Sequence, residues 1–503
     1  MYLKVIIVSL LILVVGTLVG FLAFPMLLEH LIRRQINLKE GSDTRQIWEK
    51  MPFPMSFKVF VFNVTNAVDI EDGEMPELQE VGPFVFEEWK DKYNIEDNEA
   101  EDTVSFNMRN TFKLRSDLGL SGEELITMPQ PLLQFMAISV QNQQPDMLTA
   151  TAVGLDVIFK PTSAFITAPF MDLFYRGIDV DCAQEQPAAQ AICQTFYKGD
   201  VHGAVQQNAT HFKFSFMGAG NHSNAGRFTV SRGSGNRHSS TVGQVLLFNE
   251  QDKLQVWSEG LGNSSCNQFR GTDGTVFAPY MRRQEGLWSY SPQLCRSLSP
   301  HMVGKVNYNL LPAYRYELDF GDASLDTDSN CFCKAYPFDC PVAGTVDLSR
   351  CTGTPMVASL PHFYKADMQL VHQVKGLSPS AQKHSSVIIF ERLSGTVLSV
   401  YNRLQFSLNV EPVSAIPVMS KLRNLTMPLF WIEESMQLNK DFTNTLQKQL
   451  FSPIKFNNVF RWLAIALGTL GFAMGALLLH LRRNDVKRVA HSIEGASVED
   501  DKN

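Results

Sequence analysis

The sequence predicts an α+β protein: one large antiparallel β domain with a helical insertion, held between two membrane-spanning helices. Three observations predict it. Residues 5–28 and 462–481 carry no Asp, Glu, Lys or Arg, and about 20 such residues cross a hydrocarbon core as a helix. Between these runs, apolar residues recur mainly with period two, the pattern of half-buried strands. From 132 to 198 the spacing turns helical instead.

The first apolar run has a cleaved signal peptide as its alternative reading. A signal core spans about 7–15 residues and ends at a small-x-small site. This run is longer and ends in "FLAFPMLLEH", so it reads as an anchor that stays. The second run ends in "HLRRNDVKR", where Arg482, Arg483, Lys487 and Arg488 place that end in the cytoplasm by the positive-inside rule. Arg33, Arg34 and Lys39 follow the first run and weaken its own charge signal, so the second run decides the topology. The expected organisation is a cytoplasmic N-terminus (1–4), a first span (5–28), an extracellular ectodomain (29–459), a second span (460–481) and a cytoplasmic tail (482–503).

Within the ectodomain, "THFKFSFM" puts Phe212, Phe214 and Phe216 on one strand face, and "YRYELDF" does the same with Tyr314, Tyr316, Leu318 and Phe320. "GQVLLFNEQDKLQVWSEG" reads as a hairpin turning near Asn249–Asp252, and "SSVIIFERLSGTVLSVYNRLQFSLNV" as two or three successive strands. "TAPFMDLFYRG" reads as a helix with a Thr cap, an early Pro and a terminating Gly177; "QPAAQAICQTFYKG" reads as another.

Five N-x-[ST] sequons, at Asn63, Asn208, Asn221, Asn263 and Asn424, all fall between the spans, where a glycosylated extracellular segment would carry them. All eight cysteines lie there too, and an even count outside the cytoplasm reads as disulfides. Zinc sites favour C-x2-C repeats or Cys–His pairs at short spacing. The stretch "NCFCKAYPFDCPVAGTVDLSRC" (330–351) has neither, and no metal is expected.

Catalytic signatures are missing: G-x-S-x-G, H-E-x-x-H and G-x4-G-K-[ST] do not occur. "GAGNHSNAG" begins like a dinucleotide loop, but Ser223 stands where the third glycine belongs and Asn221 is a sequon, so it reads as a turn. "HFYKAD" and "DIEDGEMPE" hold a histidine and carboxylates without a defined acid–base pair. The expectation is a non-enzyme without a cofactor; an ectoenzyme whose triad assembles from distant residues, or an adhesion protein, is the alternative class. A net charge of −7 argues against a nucleic-acid partner. Thirty-five phenylalanines fit either a filled core or the walls of a cavity for an apolar ligand, and composition does not separate the two.

"VFNVTN" (61–66), "LQEVGPFVFEEW" (78–89), "GTDGTVFAPYM" (271–281), "LCRSL" (294–298), "CFC" (331–333) and "LPHFY" (360–364) resemble the class B scavenger receptor family. "EDTVSFNMRNTF", "FMDLFYRGIDVDC", "FSFMGAGNHSNAGRFTV" and "LFWIEESMQLNKDF" are most similar, within that family, to the insect sensory neuron membrane proteins. The likeness runs from about residue 20 to 480.

The resemblance implies an irregular antiparallel β-barrel topped by a helical bundle near 131–205, with an internal apolar tunnel for lipids. It also implies disulfides 266–331, 295–351 and 333–340 among Cys266, Cys295, Cys331, Cys333, Cys340 and Cys351. Lys160 lies near the position of an apical lysine that contacts acyl carboxylates in some members; a solvated surface lysine is the plainer reading. Cys182 and Cys193 fall outside the general pattern. Eleven residues of straight helix span about 16 Å, whereas bridged Cα atoms lie within about 7 Å. They pair only if the chain folds back, which Pro187 and its polar neighbours allow, and pairing is expected. Function by resemblance is lipophilic-ligand reception, of pheromone-like odorants and fatty-acid derivatives, at the membrane of olfactory neurons or support cells. The implied partners are lipophilic small molecules, the plasma membrane and an odorant receptor complex. Scavenger-type lipid uptake in another tissue is the alternative within the family.

Overall fold

The computed structural model describes residues 2–235, 241–257, 265–282 and 285–499, with side chains to 490. The chain forms two compact units: Gln35–Leu438, and Met1–Arg34 together with Asn439–Asn503.

In the second of these, a helical run from Tyr2 to Gln35 and one from Lys440 to Ala490 are each long and apolar enough to cross a membrane. Small residues let their backbones approach. A Cβ on Gly468 would stand 2.8 Å from that of Leu13, and one on Gly475 2.7 Å from Ile6 Cγ1; Gly16 meets Ala464, and Gly471 meets Ser9. Helices in lipid associate through such packing and through hydrogen bonds, because tails and apolar side chains are equally oily. Asn457 Nδ2 adds one of those bonds, donating to the Gly20 carbonyl at 3.1 Å.

The larger unit is built on a twelve-stranded sheet. In chain order its strands are β1 (Met55–Val64), β2 (Leu78–Asn98), β3 (Thr103–Leu114), β4 (Asn224–Ser231), β5 (Val245–Phe248) and β6 (His301–Tyr308). They continue with β7 (Leu311–Glu317), β8 (Thr345–Asp347), β9 (Met356–Ser359), β10 (Val387–Glu391), β11 (Thr396–Val410) and β12 (Leu425–Gln437). The order across the sheet is β5-β4-β3-β2-β1-β12-β11-β10-β7-β6, with β9 also on β11 and β8 on β9. Each of these strand pairs is antiparallel.

The barrel expectation needs correction, because among the described residues the sheet does not close. One edge is the four-residue β5 and the other is β6. Among the described residues between them, turns, isolated bridges and disulfides occur, with short strands at Ser289–Ser291 and Arg296–Leu298 paired to each other. The expected hairpin at β5 forms only its turn. Phe248 bridges Gln251 around Asn249 and Glu250, both at positive φ, but residues 254–257 add no return strand.

The insertion at 131–205 holds helices Pro131–Gln143, Leu148–Phe159 and Pro187–Tyr197, interleaved with strands. "TAPFMDLFYRG" is helical only from Phe170, because Thr167–Pro169 belongs to strand Phe165–Pro169, which pairs with Leu125–Pro129. Ladder hydrogen bonds there outcompete the local cap. Close packing of the second and third helices depends on Gly154, where a Cβ would fall 2.5 Å from the Ala188 carbonyl oxygen.

The small-residue contact between the membrane helices is testable in place. Cysteines introduced at Ser9 and Gly471 should cross-link on oxidation, read as fragments that stay joined after the ectodomain is cleaved. Adding Gly468→Leu should cut the yield several-fold, since the bulk forces the helices apart. An unchanged yield would show that these residues do not set the pairing.

Candidate functional site

Alternation along the strands sorts side chains onto two faces. One face carries Phe84 and Phe86 of β2, Phe57 and Val59 of β1, Phe106 and Met108 of β3, and Phe430 of β12, and against it lie the main apolar clusters. Aromatic contacts run along it and into the insertion. Phe84 stacks on Phe170 at 3.6 Å, Phe170 on Phe174 at 4.5 Å, and Phe174 meets Phe430 edge-on at 5.0 Å. Aromatic rings supply large apolar area with few internal degrees of freedom. Filling is uneven on this face: Phe112, Phe216, Phe406 and Ile432 stay half-buried beside fully buried neighbours. On β12 the opposite face is tighter, with Trp431, Glu433 and Ser435 all buried.

Continuing the same alternation, Glu88, Lys90 and Lys92 of β2 point to the apolar side, as do Glu434 of β12 and Asn402 of β11. Lys90 lies one residue pair beyond the start of β1 and forms an ion pair with Glu434 past that strand's end. It also lies 3.7 Å from Glu88 Oε1. Asn402 Nδ2 donates to Glu434 Oε2 at 3.3 Å. Burial pushes the Glu88 carboxyl well up, and Glu434 adds to this by sharing a proton with it, against the pull of Lys90. Burial alone would lower Lys90, but the Glu434 and Glu88 carboxyls outweigh it and hold the ammonium above its ordinary value.

Lys92 is enclosed differently. Its ammonium donates to the Trp48 carbonyl at 3.0 Å and to Thr275 Oγ1 at 3.3 Å, sits 4.6 Å from the Trp48 ring centre and faces Asp273 at 3.7 Å. Burial lowers its pKa despite Asp273. The sequence reading passed over this whole group: "FEEWKDKY" looks like a solvated charged strand. The available signal was parity, since Glu88, Lys90 and Lys92 share it with Phe84 and Phe86.

A second polar cluster lies on the other face. His362 Nε2 pairs with Glu80 Oε2 at 2.7 Å, while its Nδ1 accepts from the Ser378 N–H at 3.0 Å. Trp431 Nε1 donates to the same Glu80 oxygen at 2.8 Å, and His384 stacks on His362 at 4.2 Å. Burial, then His362, pushes His384 down to about 4. With both ring nitrogens of His362 occupied, the "HFYKAD" histidine acts as a clip that ties segment 360–385 to the sheet. No group of three or more His, Cys, Asp or Glu suited to a metal occurs among the described residues.

The eight cysteines form Cys266–Cys331, Cys295–Cys351, Cys333–Cys340 and Cys182–Cys193, with Cα separations of 6.1, 6.0, 4.1 and 5.7 Å. The last closes because the chain reverses between strand Ile178–Asp181 and the helix that begins at Pro187. Lys160 ends helix Leu148–Phe159 in a left-handed conformation and is exposed, well separated in role from the buried lysines. Asn208 and Asn424 are exposed. Asn63 and Asn221 are half-buried, their Oδ1 atoms accepting from the backbone N–H groups of Thr127 and Phe112. Asn263 lies outside the described residues.

Two helical runs long and apolar enough to span a membrane, flanking a disulfide-tied unit with an aromatic core, fit a two-pass cell-membrane protein of the receptor class. The chain belongs to the CD36 family, which it matches over residues 7–479. It is 42% identical to sensory neuron membrane protein 1 of Anopheles gambiae over 480 residues, covering 94% of this chain and 86% of that protein. Identity to the proteins of that name is 39% in Aedes aegypti (92% and 85% covered) and 36% in Manduca sexta (94% and 90%).

Glu88 gives stability a definite pH slope. The folded pair holds a proton that an unfolded glutamate releases near pH 4.3. Its contribution to stability therefore falls as pH rises from there toward the raised folded value. Thermal melts of Glu88→Gln and the unaltered protein should diverge with rising pH in favour of the glutamine variant. A gap independent of pH would mean that Glu88 is ionised in the fold.

Proposed function

We propose that the chain is a cell-surface receptor or co-receptor for lipophilic ligands, pheromone-like odorants and other fatty-acid derivatives. It would pass them through an apolar tunnel inside the ectodomain toward the membrane or a neighbouring odorant receptor. The observation that carries this reading is the interior face itself. Aromatic side chains line it continuously, yet Phe112, Phe216, Phe406 and Ile432 are not packed to completion. Apolar ligands need such walls with few polar groups. The names of the relatives support a sensory setting.

In this proposal both termini are cytoplasmic, with Arg482, Arg483, Lys487 and Arg488 retaining the second span's inner end. The ectodomain carries glycans on its sequons, and Asn208 and Asn424 are the most open of those described. Lys160, being exposed, would serve as a first contact for acidic head groups rather than as part of the interior. Two anchors keep the ectodomain beside the bilayer, so ligand released there meets a neighbouring receptor at high effective concentration.

Titrating the full-length protein in detergent with 1-alcohols from octanol to hexadecanol tests the reading. Each methylene buried is worth roughly 0.8 kcal/mol, so affinity should rise about fourfold per carbon until the ligand outgrows the interior. Affinity that stays flat from short to long chains would refute an apolar tunnel.

A further inference from the structure

The polar group at Glu88, Lys90, Asn110, Asn402 and Glu434 is an anomaly in an apolar interior. Ionised side chains inside a protein are costly unless fully paired and hydrogen-bonded. Here the pairing is incomplete. Glu88 is only 3% exposed, yet its Oε2 has no donor, and neither has the buried Oδ1 of Asn110, which stands opposite Lys90 in the β2–β3 register. Nor is the space around the ion pair filled: Lys90 and Glu434 keep 21% and 16% of their side-chain surface on the face that carries the apolar clusters. Lys92, by contrast, keeps 2% and has donated to two acceptors. Open hydrogen-bonding capacity thus lies beside open room, and aromatic rings lead to it. Phe86, two residues before Glu88 on the same face, meets Tyr175 at 4.7 Å, and Phe112, opposite Glu88, meets Phe57 at 4.9 Å.

We propose that this group is the station for the polar head of a long-chain ligand, and that it selects uncharged heads (alcohol, aldehyde or ester) over carboxylates. The inference rests on the lipid-binding reading and adds where the head sits and what chemistry it has. Charge balance carries the selectivity. Lys90 is already matched by Glu434 in the ion pair, and burial pushes the Glu88 carboxyl up to about 8, so the group is neutral while Glu88 keeps its proton. A carboxylate would bring an unmatched negative charge into a low-dielectric site next to Glu434. A hydroxyl would instead donate to Asn110 Oδ1 or Glu88 Oε2 and satisfy an orphaned acceptor. An ester or aldehyde oxygen would accept from the Lys90 ammonium, which has protons beyond the one it gives Glu434.

The test compares 1-dodecanol, dodecyl acetate, dodecanoate and dodecane on the full-length protein at pH 7.5, by displacement of a fluorescent apolar probe. Dodecanol and dodecyl acetate should bind at least about tenfold more tightly than dodecanoate. Glu434→Gln combined with Glu88→Gln leaves Lys90 unmatched and should reverse that order, whereas Glu88→Gln alone, which keeps the Lys90–Glu434 pair, should preserve it. If the double variant does not fold, Asn110→Leu replaces it. That variant removes the acceptor without touching the ion pair, and should weaken dodecanol several-fold while leaving dodecane unchanged. Equal affinities for all four probes, unaltered by the variants, would overturn the head-group station and leave lipid binding standing. Binding of none of them would overturn both.

Discussion

The ladder from Ser56↔Ser435 to Val61↔Phe430 joins the first long strand of the ectodomain to the last. Everything between β1 and β12 is an excursion that must leave and return at this contact. Antiparallel pairing places the start of β1 beside the end of β12. The contact also sets the inward face: register on β1 and β12 decides that Phe57, Val59, Phe430 and Glu434 point together. A one-residue slip would exchange them for Lys58, Trp431 and Glu433.

The opposite face shows how fully such charges can be matched when the protein treats them as structure. Burial would raise the Glu433 carboxyl, but bonds from Lys58 at 2.8 Å and Arg403 at 2.6 Å hold it below its ordinary value. Arg403 continues to the Ser385 carbonyl at 2.7 Å. Both Glu433 oxygens are thus engaged, Oε1 by Lys58 and Oε2 by Arg403. Across the sheet, Glu88 Oε2 and Asn110 Oδ1 have no hydrogen-bond partner. The same strands thus carry a finished salt-bridge network on one side and an unfinished polar group on the other. That asymmetry distinguishes a structural role from a receptive one.

Much of the architecture was legible in the sequence, for physical reasons. Apolar runs longer than a signal core point to membrane helices, and period-two aromatics at Phe212–Phe214 and Tyr314–Tyr316 mark strands, although Phe216, Leu318 and Phe320, which continue the pattern, lie beyond the strand ends. For Cys182 and Cys193 the reach argument only permits a bond, on condition that the chain folds back near Pro187. Less legible was anything decided by distant partners. Residues 254–257 have a strand-like pattern but no neighbour to pair with, and Thr167–Pro169 have helix-capping chemistry but lie against Leu125–Thr127. Sheet closure is a property of two edges far apart in sequence, and no local pattern encodes it. The polar group was missed for a different reason: charges alternating along a strand normally mark its wet face, and only parity with Phe84 and Phe86 reveals that this strand turns them inward.

The central claim is that ligand occupies the inward face of the sheet. Photoaffinity labelling of the full-length protein with a twelve-carbon alcohol bearing a diazirine beside the hydroxyl examines it directly, followed by peptide mapping of the adducts. The account predicts saturable labels on β2 and β12, within 84–92 and 430–436, displaced by excess dodecanol. Labels confined to the membrane helices or to the exposed surface around Lys160 would contradict it.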